Sequence, residues 1–597
     1  MKKSIALFLA LCLCLGLLAG CGSGPASSAP AEPASAAASA EEAPEAPAPE
    51  AEAPEEPAEE ATEASAEESP AEEPSEEPEE TAEGYDTYTG AVPAAESSVT
   101  YPIEEEDVEL TFWTPFQSNM PGVYDTITDI PALGVIADNV GVTVDWTVVS
   151  GMEMFTQFNL MAAGGDYCDM IEAAVECYSG GAIGALNDGV LTDLTDYIEE
   201  NAPDYLAAHE SRGSAKDILT GDGRYACLWG CYNLPEVSQG YVIRQDWLDE
   251  LGLEVPRTYD DWFNVLSAFK DKYGCSDAFL MGDTCQDDAH TPAGFGTPGY
   301  KSNMFGAGSD LYQVDGVVKT SFLEEGYRDY LREMHRWFEA GLFSADFPTI
   351  SSRPNDDNRV ALINNGGAGI WAVGASNVTI QQEQIVGGAK LTGIPDPLSD
   401  KVDFNHFSSA MTVNSQCDVA ISSTCENVEA CLKYLNYYFT DEGIRYYNYG
   451  IEGETYNLVD GKVEYTDLIM NPIEGYTPFT MTEAYVLVGG IASVTYGSRQ
   501  LDFAGEEARQ AWETWNSTQD ELYTLPEGLA LTAEESAQAS ALMSDIYTYA
   551  AQCAPQFILG TMDIENDWDA FTQSMRDMGI EDILAIYQAA LDRYQAL

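Results

Sequence analysis

The sequence predicts an α/β protein built on a mixed, mostly parallel sheet, and two observations in its body carry that expectation. From Asp107 onward, apolar runs of strand length alternate with runs of helical spacing, the pattern of successive βαβ units. At 45% hydrophobic and 11% aromatic, 597 residues supply a large core and two to four domains, which excludes global disorder. A third observation limits the fold to that body: the first hundred residues have a different composition and nothing to bury.

Residues 1–20 read as an export signal. Lys2 and Lys3 form a charged start, and the apolar run Ile5 to Leu18 is too short and too early for an ordinary spanning helix. The run closes on Leu18-Ala19-Gly20-Cys21, which resembles the lipobox of bacterial lipoproteins. That resemblance implies a diacylglycerol on Cys21 and a mature chain held at the outer face of a membrane; a plain secretory signal with a chance cysteine is the alternative. Each buried methylene of such an anchor contributes about 0.8 kcal/mol. No later segment approaches 18 uninterrupted apolar residues. Residues 21–102 follow the signal as an acidic linker of Pro, Ala, Glu and Ser, holding 13 of the 29 prolines. Self-repulsion and polyproline stretches keep such a segment extended and solvated, as a spacer.

Charge is spread unevenly. Lys and Arg number 25 against 101 Asp and Glu, a net −76, and after Lys3 the next basic residue is Arg212. Residues 22–102 hold 22 acids and no Lys or Arg, leaving 79 acids against 23 bases in the body, near −56. A surface of that sign repels phosphate backbones, so nucleic acid is excluded as a partner and neutral or cationic ligands are favoured.

The elements then follow in order. Val108-Glu-Leu-Thr-Phe-Trp113 alternates as a strand and meets the turn signal Thr114-Pro115; a helix is predicted around Asp129–Val140, and Val142–Trp146 gives a second strand. Residues 151–163 carry helical apolar spacing, stop at Gly164-Gly165 and lead into a third strand from Asp169. Ligands of such sheets sit beyond the carboxyl ends of the strands, which points to Trp113–Phe116 and Ala173–Tyr178.

From here the residues resemble a known family. Asn159-Leu-Met-Ala-Ala-Gly-Gly-Asp166-Tyr-Cys-Asp169 is similar to the helix, small-residue turn and strand of the extracellular solute-binding proteins that serve ABC importers. Leu191–Ile198 with Ala202-Pro203 looks like their next amphipathic helix. Tyr241-Val-Ile-Arg244-Gln-Asp-Trp247, followed by Val255-Pro-Arg-Thr258-Tyr-Asp-Asp-Trp262, resembles the strand and capped helix that open their second lobe. Thr258 can cap that helix, with Asp260 and Asp261 in the first turn where the dipole favours acids. Trp337–Leu342, Gly369–Ala372 and Tyr434–Gly443 continue the series, and Tyr449–Tyr456 with Asp460-Gly461 looks like the long-chain sugar-binding lipoproteins of Gram-positive bacteria.

The resemblance implies a periplasmic-binding-protein-like (type 2) two-lobed clamp, each lobe a sheet flanked by helices. Hinge crossovers are expected near Cys231–Gly240, Ile363–Gly369 and Ala410–Gln416. Lobe 1 is then 107–235 plus 367–412, and lobe 2 is 240–362 plus 417–597. The implied function is capture of a small solute, foremost an oligosaccharide, and delivery to the permease subunits of an ABC importer by a monomeric, lipid-anchored protein outside the cell. An oligopeptide-binding importer component, a surface sensor or adhesin lipoprotein, and a secreted hydrolase are the other readings.

Sugar capture needs an aromatic plate for the apolar face of a pyranose and polar groups for its rim. Trp113, Trp229, Tyr232 and Trp371 fall at predicted strand ends or crossings, and Trp371 aligns with a stacking residue of maltose-type relatives; core packing is the competing reading of each. Asp166, Glu176, Arg244 and Glu452 stand in family-like motifs as polar contacts, though Asp166 suits a turn and Arg244 an ion pair with Asp246. Gln117, Asn119 and Asn377 are hydrogen-bonding alternatives, and 491–516, with Tyr496, Arg499 and Trp512, is expected to fold back over the cleft.

The motifs of catalysis are missing: there is no GxSxG, no GxxxxGK, no HExxH and no EF-hand series. No cofactor is implied, and no metal, since four histidines and no CxxC pair support zinc poorly. Ten body cysteines, 168, 177, 227, 231, 275, 285, 417, 425, 431 and 553, permit disulfides without establishing any.

Overall fold

A computed structural model describes residues 99–597 except 105–107, 116–125, 283–290, 299–309, 352–355, 408–410, 460–461, 474–475 and 489. The export signal, Cys21, the acidic linker, Gln117, Asn119, Cys285 and Asp460-Gly461 lie outside the described residues.

In chain order the strands are β1 (Val108–Thr114), β2 (Val142–Val148), β3 (Met170–Glu172), β4 (Cys227–Glu236), β5 (Gln239–Arg244), β6 (Asp277–Phe279), β7 (Leu311–Val314), β8 (Val317–Thr320), β9 (Ala368–Gly374), β10 (Leu391–Ile394), β11 (Met411–Ile421), β12 (Tyr456–Val459), β13 (Lys462–Tyr465) and β14 (Val494–Thr495). Two sheets organise them. The first has the order β14-β4-β11-β3-β1-β2 and the second β10-β5-β9-β6, while β7–β8 and β12–β13 are separate hairpins. In the first sheet β1 is parallel to β2 and β3, and β14 to β4, with β11 antiparallel to both neighbours. The second sheet is parallel only between β6 and β9.

Local chemistry sets the helices. The helix Pro131–Val140 begins on a proline, whose missing N–H costs nothing there, and ends on Gly141 at φ 83°. A Cβ at Gly141 would also sit 2.9 Å from Pro102 Cβ. The expected cap at Thr258 is present: its hydroxyl takes the Asp261 N–H at 3.1 Å and the Asp261 carboxylate takes the Thr258 N–H at 3.0 Å, opening the helix Tyr259–Tyr273. Residues 191–197, by contrast, are not helical. Asp193 Oδ1 accepts the Thr195 N–H and hydroxyl at 3.0 and 2.6 Å, a local turn that outcompetes helix, and the helix begins only at Ile198.

Each sheet has its own core. Leu110, Phe112, Ile136, Tyr205, Tyr434 and Tyr447 are buried around the first. The second is more aromatic, with Trp262 stacked on Trp337 at 6.2 Å between ring centroids and Phe279 edge-on to Trp337 at 5.4 Å. The C-terminal helices Ala533–Ile558, Trp568–Asp577 and Ile580–Ala596 join this second core through Ile546, Phe557, Trp568, Phe571 and Ile583.

The chain changes sheets three times. β4 of the first sheet gives way to β5 of the second across Val237 and Ser238; the chain returns between β10 and β11; it leaves again after β14, because the helix Glu506–Ser517 packs on the second sheet. This corrects the expected boundaries. Residues 367–394 belong with the second sheet, since β9 pairs with β5 and β6, and residues 417–495 belong with the first, since β11 and β14 complete it. The crossover expected at Ile363–Gly369 is a helix-to-strand turn within the second lobe. The segment 491–516 is likewise structural: Tyr496 is buried in the first core, Trp512 in a separate cluster of the second sheet with Val242 and Trp371, and Trp515 Nε1 donates to the Tyr241 carbonyl at 3.0 Å. Glycines permit the packing of this helix: a Cβ at Gly240 would lie 2.5 Å from the Trp515 ring, and one at Gly393 would lie 2.2 Å from Ala511 Cα.

Candidate functional site

The carboxyl ends of β1, β3 and β4 all lie at the end of the first sheet where the chain crosses to the second, the place where α/β sheets bind ligands. Two acids are buried there. Glu172, the last residue of β3, is 3% exposed, and Asp418 of β11 is 1% exposed. Thr114, at the end of β1, donates its hydroxyl to Glu172 Oε2. Burial pushes the Glu172 carboxyl up to about 8, against the pull of that hydrogen bond and helped by the charge of Asp418. Burial likewise lifts Asp418 to about 7, opposed by the Val175 N–H, which it accepts at 3.3 Å, and reinforced by Glu176.

The backbone is built to place these groups. The β11–β4 ladder jumps from the pair Asn414–Gly230 to Asp418–Trp229, a bulge that delivers Asp418 to the side of β3. Ala173, directly after Glu172, sits at φ 57°, a left-handed conformation that a residue with a Cβ adopts at a cost, and its N–H bonds the Asp418 carbonyl at 3.0 Å. The turn thereby aims Ala174–Cys177, with exposed Glu176, along the rim.

Trp229 is half-buried beside this pair, and its backbone is fixed from two sides. Its N–H donates to Tyr205 Oη at 3.3 Å, and its carbonyl lies 3.1 Å from His209 Nε2. Burial holds His209 down to about 4, so the ring is neutral; because a carbonyl can only accept, Nε2 carries the proton. Tyr232, also half-exposed, follows on the same strand in register with Thr495 of β14. Across the crossing, Gly374 at the end of β9 pairs with Gln239, and half-buried Asn377 lies in the first turn of the helix Ala375–Gln384.

The remaining expected contacts fall elsewhere. Trp371 is fully buried in the cluster of the second sheet that holds Trp512 and Trp515, its Nε1 donating to Gln381 Oε1 at 2.8 Å, so it is a packing residue of β9 and not a plate. Arg244 ends β5 at the far edge from the crossing, paired with Asp246 (Nε to Oδ1 2.8 Å) and lying 4.3 Å over the Trp247 ring. Trp113 is 2% exposed and meets Phe158 edge-on at 6.2 Å. Asp166 is exposed in the turn that enters β3, opposite the Glu172 end, while Asp169 fixes that turn through the Thr111 N–H and hydroxyl at 2.9 and 2.8 Å. Glu452 is exposed in the turn after the helix Asp441–Tyr449, bridged to Tyr456. The site thus gathers Trp229, Tyr232 and Glu176 from the expected set. Glu172 and Asp418 were not among the expected residues; their signal is an acid inside an apolar strand, Met170-Ile-Glu-Ala-Ala and Cys417-Asp-Val-Ala-Ile. Among the described residues no group of three or more His, Cys, Asp or Glu side chains could hold a metal ion, and no helix is long and apolar enough to cross a membrane.

Known proteins resemble this chain at several levels. Residues 134–444 match the sequence model of the bacterial extracellular solute-binding proteins. The polygalacturonan/rhamnogalacturonan-binding protein YtcQ of Bacillus subtilis (strain 168) is 31% identical over 31% of this chain, a match that spans 35% of that protein's length. The fructooligosaccharide ABC transporter substrate-binding protein FusA of Streptococcus pneumoniae is 22% identical over 83% of this chain and 92% of its own. Among solved structures, an extracellular solute-binding protein from Bifidobacterium longum subsp. infantis shares the fold with a TM-score of 0.65 at 18% identity, over 82% of this chain and 99% of that one.

Proposed function

Because this chain belongs to the family of bacterial extracellular solute-binding proteins, we propose that it captures an oligosaccharide between its two lobes and hands it to the permease of an ABC importer. The single observation that carries the reading is half-exposed Trp229 beside the buried Glu172–Asp418 pair, at the strand ends next to the crossing. The indole supplies a plate for an apolar sugar face, and Tyr232 and Glu176 supply partners for hydroxyls.

Charge narrows the cargo. FusA is named for a fructooligosaccharide and YtcQ for polygalacturonan and rhamnogalacturonan. A body near −56 with exposed Glu176 at the site disfavours a uronate and favours a neutral saccharide. A peptide needs a partner for its carboxylate, and Arg244, the cation among the expected polar contacts Asp166, Glu176, Arg244 and Glu452, is engaged with Asp246 away from the crossing. Hinge bending between the lobes closes the site, and a lipid on Cys21 with the acidic linker holds the monomer outside the membrane. The protein binds and releases its cargo without turnover.

Calorimetry of residues 99–597 against neutral oligosaccharides, galacturonate oligomers and peptides tests the reading. Saturable binding of a neutral sugar, recovered unchanged, supports it. Binding confined to peptides or uronates, or cleavage of the sugar, refutes it.

A further inference from the structure

We propose that Cys425 and Cys431 are joined by a disulfide in the exported protein. Their sulfurs lie 3.7 Å apart. The turn Ser422–Asn427 carries the chain from β11 into the helix Val428–Tyr437: the Cys425 N–H bonds the Ser422 carbonyl at 3.2 Å and the Cys431 N–H bonds the Asn427 carbonyl at 3.0 Å. Cys431 is therefore the fourth residue of the helix, and Cys425 packs on it from ahead of the cap, much as the apolar residue of a hydrophobic staple does. A bridge needs sulfurs about 2.05 Å apart, a closure within reach of small rotations about both Cα–Cβ bonds. Other cysteines have different neighbours: Cys417 meets Asn414 Nδ2 at 3.2 Å, and Cys168 meets the Thr147 hydroxyl at 3.9 Å.

Burial differs across the pair in the useful sense. Cys425 is half-buried and can meet an external reagent, whereas Cys431 is fully buried in the first core. The reagent is a thiol–disulfide oxidant outside the cell. The Cys425 thiolate attacks one sulfur of the oxidant's disulfide and releases the other as thiolate. Cys431 gives its proton to solvent and attacks Cys425 Sγ, expelling the second thiolate; two protein thiols are oxidised and one external disulfide becomes two thiols. In the finished fold the hydrogen bond to Cys425 and then burial hold the Cys431 thiol well above its ordinary range. The second step is accordingly slow once the helix has packed and fast while the chain is still folding. The pair stands at the Ile421 end of β11, away from Asp418, so the bridge fastens the helix to the sheet without entering the sugar site.

The test is a count of thiols in the full chain, exported with its own N-terminal segment, quenched in acid and alkylated after denaturation without reductant. Residues 402–433 form one tryptic peptide holding Cys417, Cys425 and Cys431. The expected peptide carries one alkyl group, and three after reduction. Cleavage at Glu426 or Glu429 is expected to give two fragments that part only on reduction. Three alkyl groups without reduction overturn the proposal, and so do fragments that part without it, which would place the bridge between Cys417 and Cys425. Cys425→Ser, at the half-exposed position, is expected to leave Cys417 and Cys431 both alkylated; protection of both would assign the bridge to that pair and overturn ours.

Discussion

Asp418 stands directly across the β11–β4 ladder from Trp229, so the buried acid and the half-exposed indole are placed by one register step after one bulge. Removing the plate while keeping the ladder is therefore feasible. Trp229→Ala is expected to weaken sugar binding at least tenfold by calorimetry, an energy of about 1.4 kcal/mol. Unfolding stability falls less than for a fully buried tryptophan, because the indole is only partly enclosed.

Trp371→Ala gives the opposite pattern. The side chain is fully buried beneath the second sheet, so truncation leaves a cavity and is expected to cost about 3–5 kcal/mol in chemical denaturation. Arg244→Ala is a further contrast: its guanidinium serves Asp246 and Trp247 at the far edge, and the sugar affinity of the folded variant is expected to stay within twofold of wild type.

Stability is expected to peak on the acid side of neutrality. Glu172 and Asp418 ionise near 8 and 7 in the fold instead of 4.5 and 3.8, so between those limits the folded state holds more protons than the unfolded chain. Their contribution is full below pH 3.8 and is lost as pH rises through 8. His209 acts on the other limb: with its value lowered from 6.5 to about 4, its contribution is present above 6.5 and lost as pH falls through 4. A thermal midpoint higher at about pH 6 than at about pH 8.5, with Glu172→Gln flattening the alkaline limb, is the expected result of a melting series.

Glu527 accepts the N–H groups of Thr412 and Val413 at 2.8 and 2.7 Å, binding the segment before the C-terminal helices to the start of β11. Glu527→Ala strands both amides. The expected loss is about 1–3 kcal/mol, with faster hydrogen exchange at Thr412 and Val413 as the local signature.

At the packed helix Glu506–Ser517, Gly393→Ala is expected to lower the thermal midpoint. The added methyl would sit 2.2 Å from Ala511 Cα, and overpacking of this kind costs about 1–3 kcal/mol.

Strands and caps were legible because their causes are local. Val108–Thr114 alternates, Thr258 and Asp261 carry a capping box, and glycines close the helices, all within a few residues of one another. Lobe membership was not. Whether Gly369-Ile-Trp371 joins the first sheet or the second depends on pairing with β5, more than a hundred residues earlier, which no local pattern encodes. The same limit separates Trp229 from Trp371: both stand in apolar runs, and only tertiary packing exposes one and encloses the other. Glu172 has a local signal, an acid within an apolar strand, whereas its burial depends on Thr114 and β11, which lie far from it in sequence.

The position of β11 has a further consequence. It lies between β4 and β3 in the middle of the first sheet, yet it is synthesised only after every strand of the second sheet. β3 and β4 pair with β11 and not with each other, so until residue 421 has emerged the first sheet waits with an empty central lane. Assembly is thus ordered in time: the inserted strands can pair among themselves first, the first sheet closes only when β11 and β14 arrive, and the helices that finish the second core come after both.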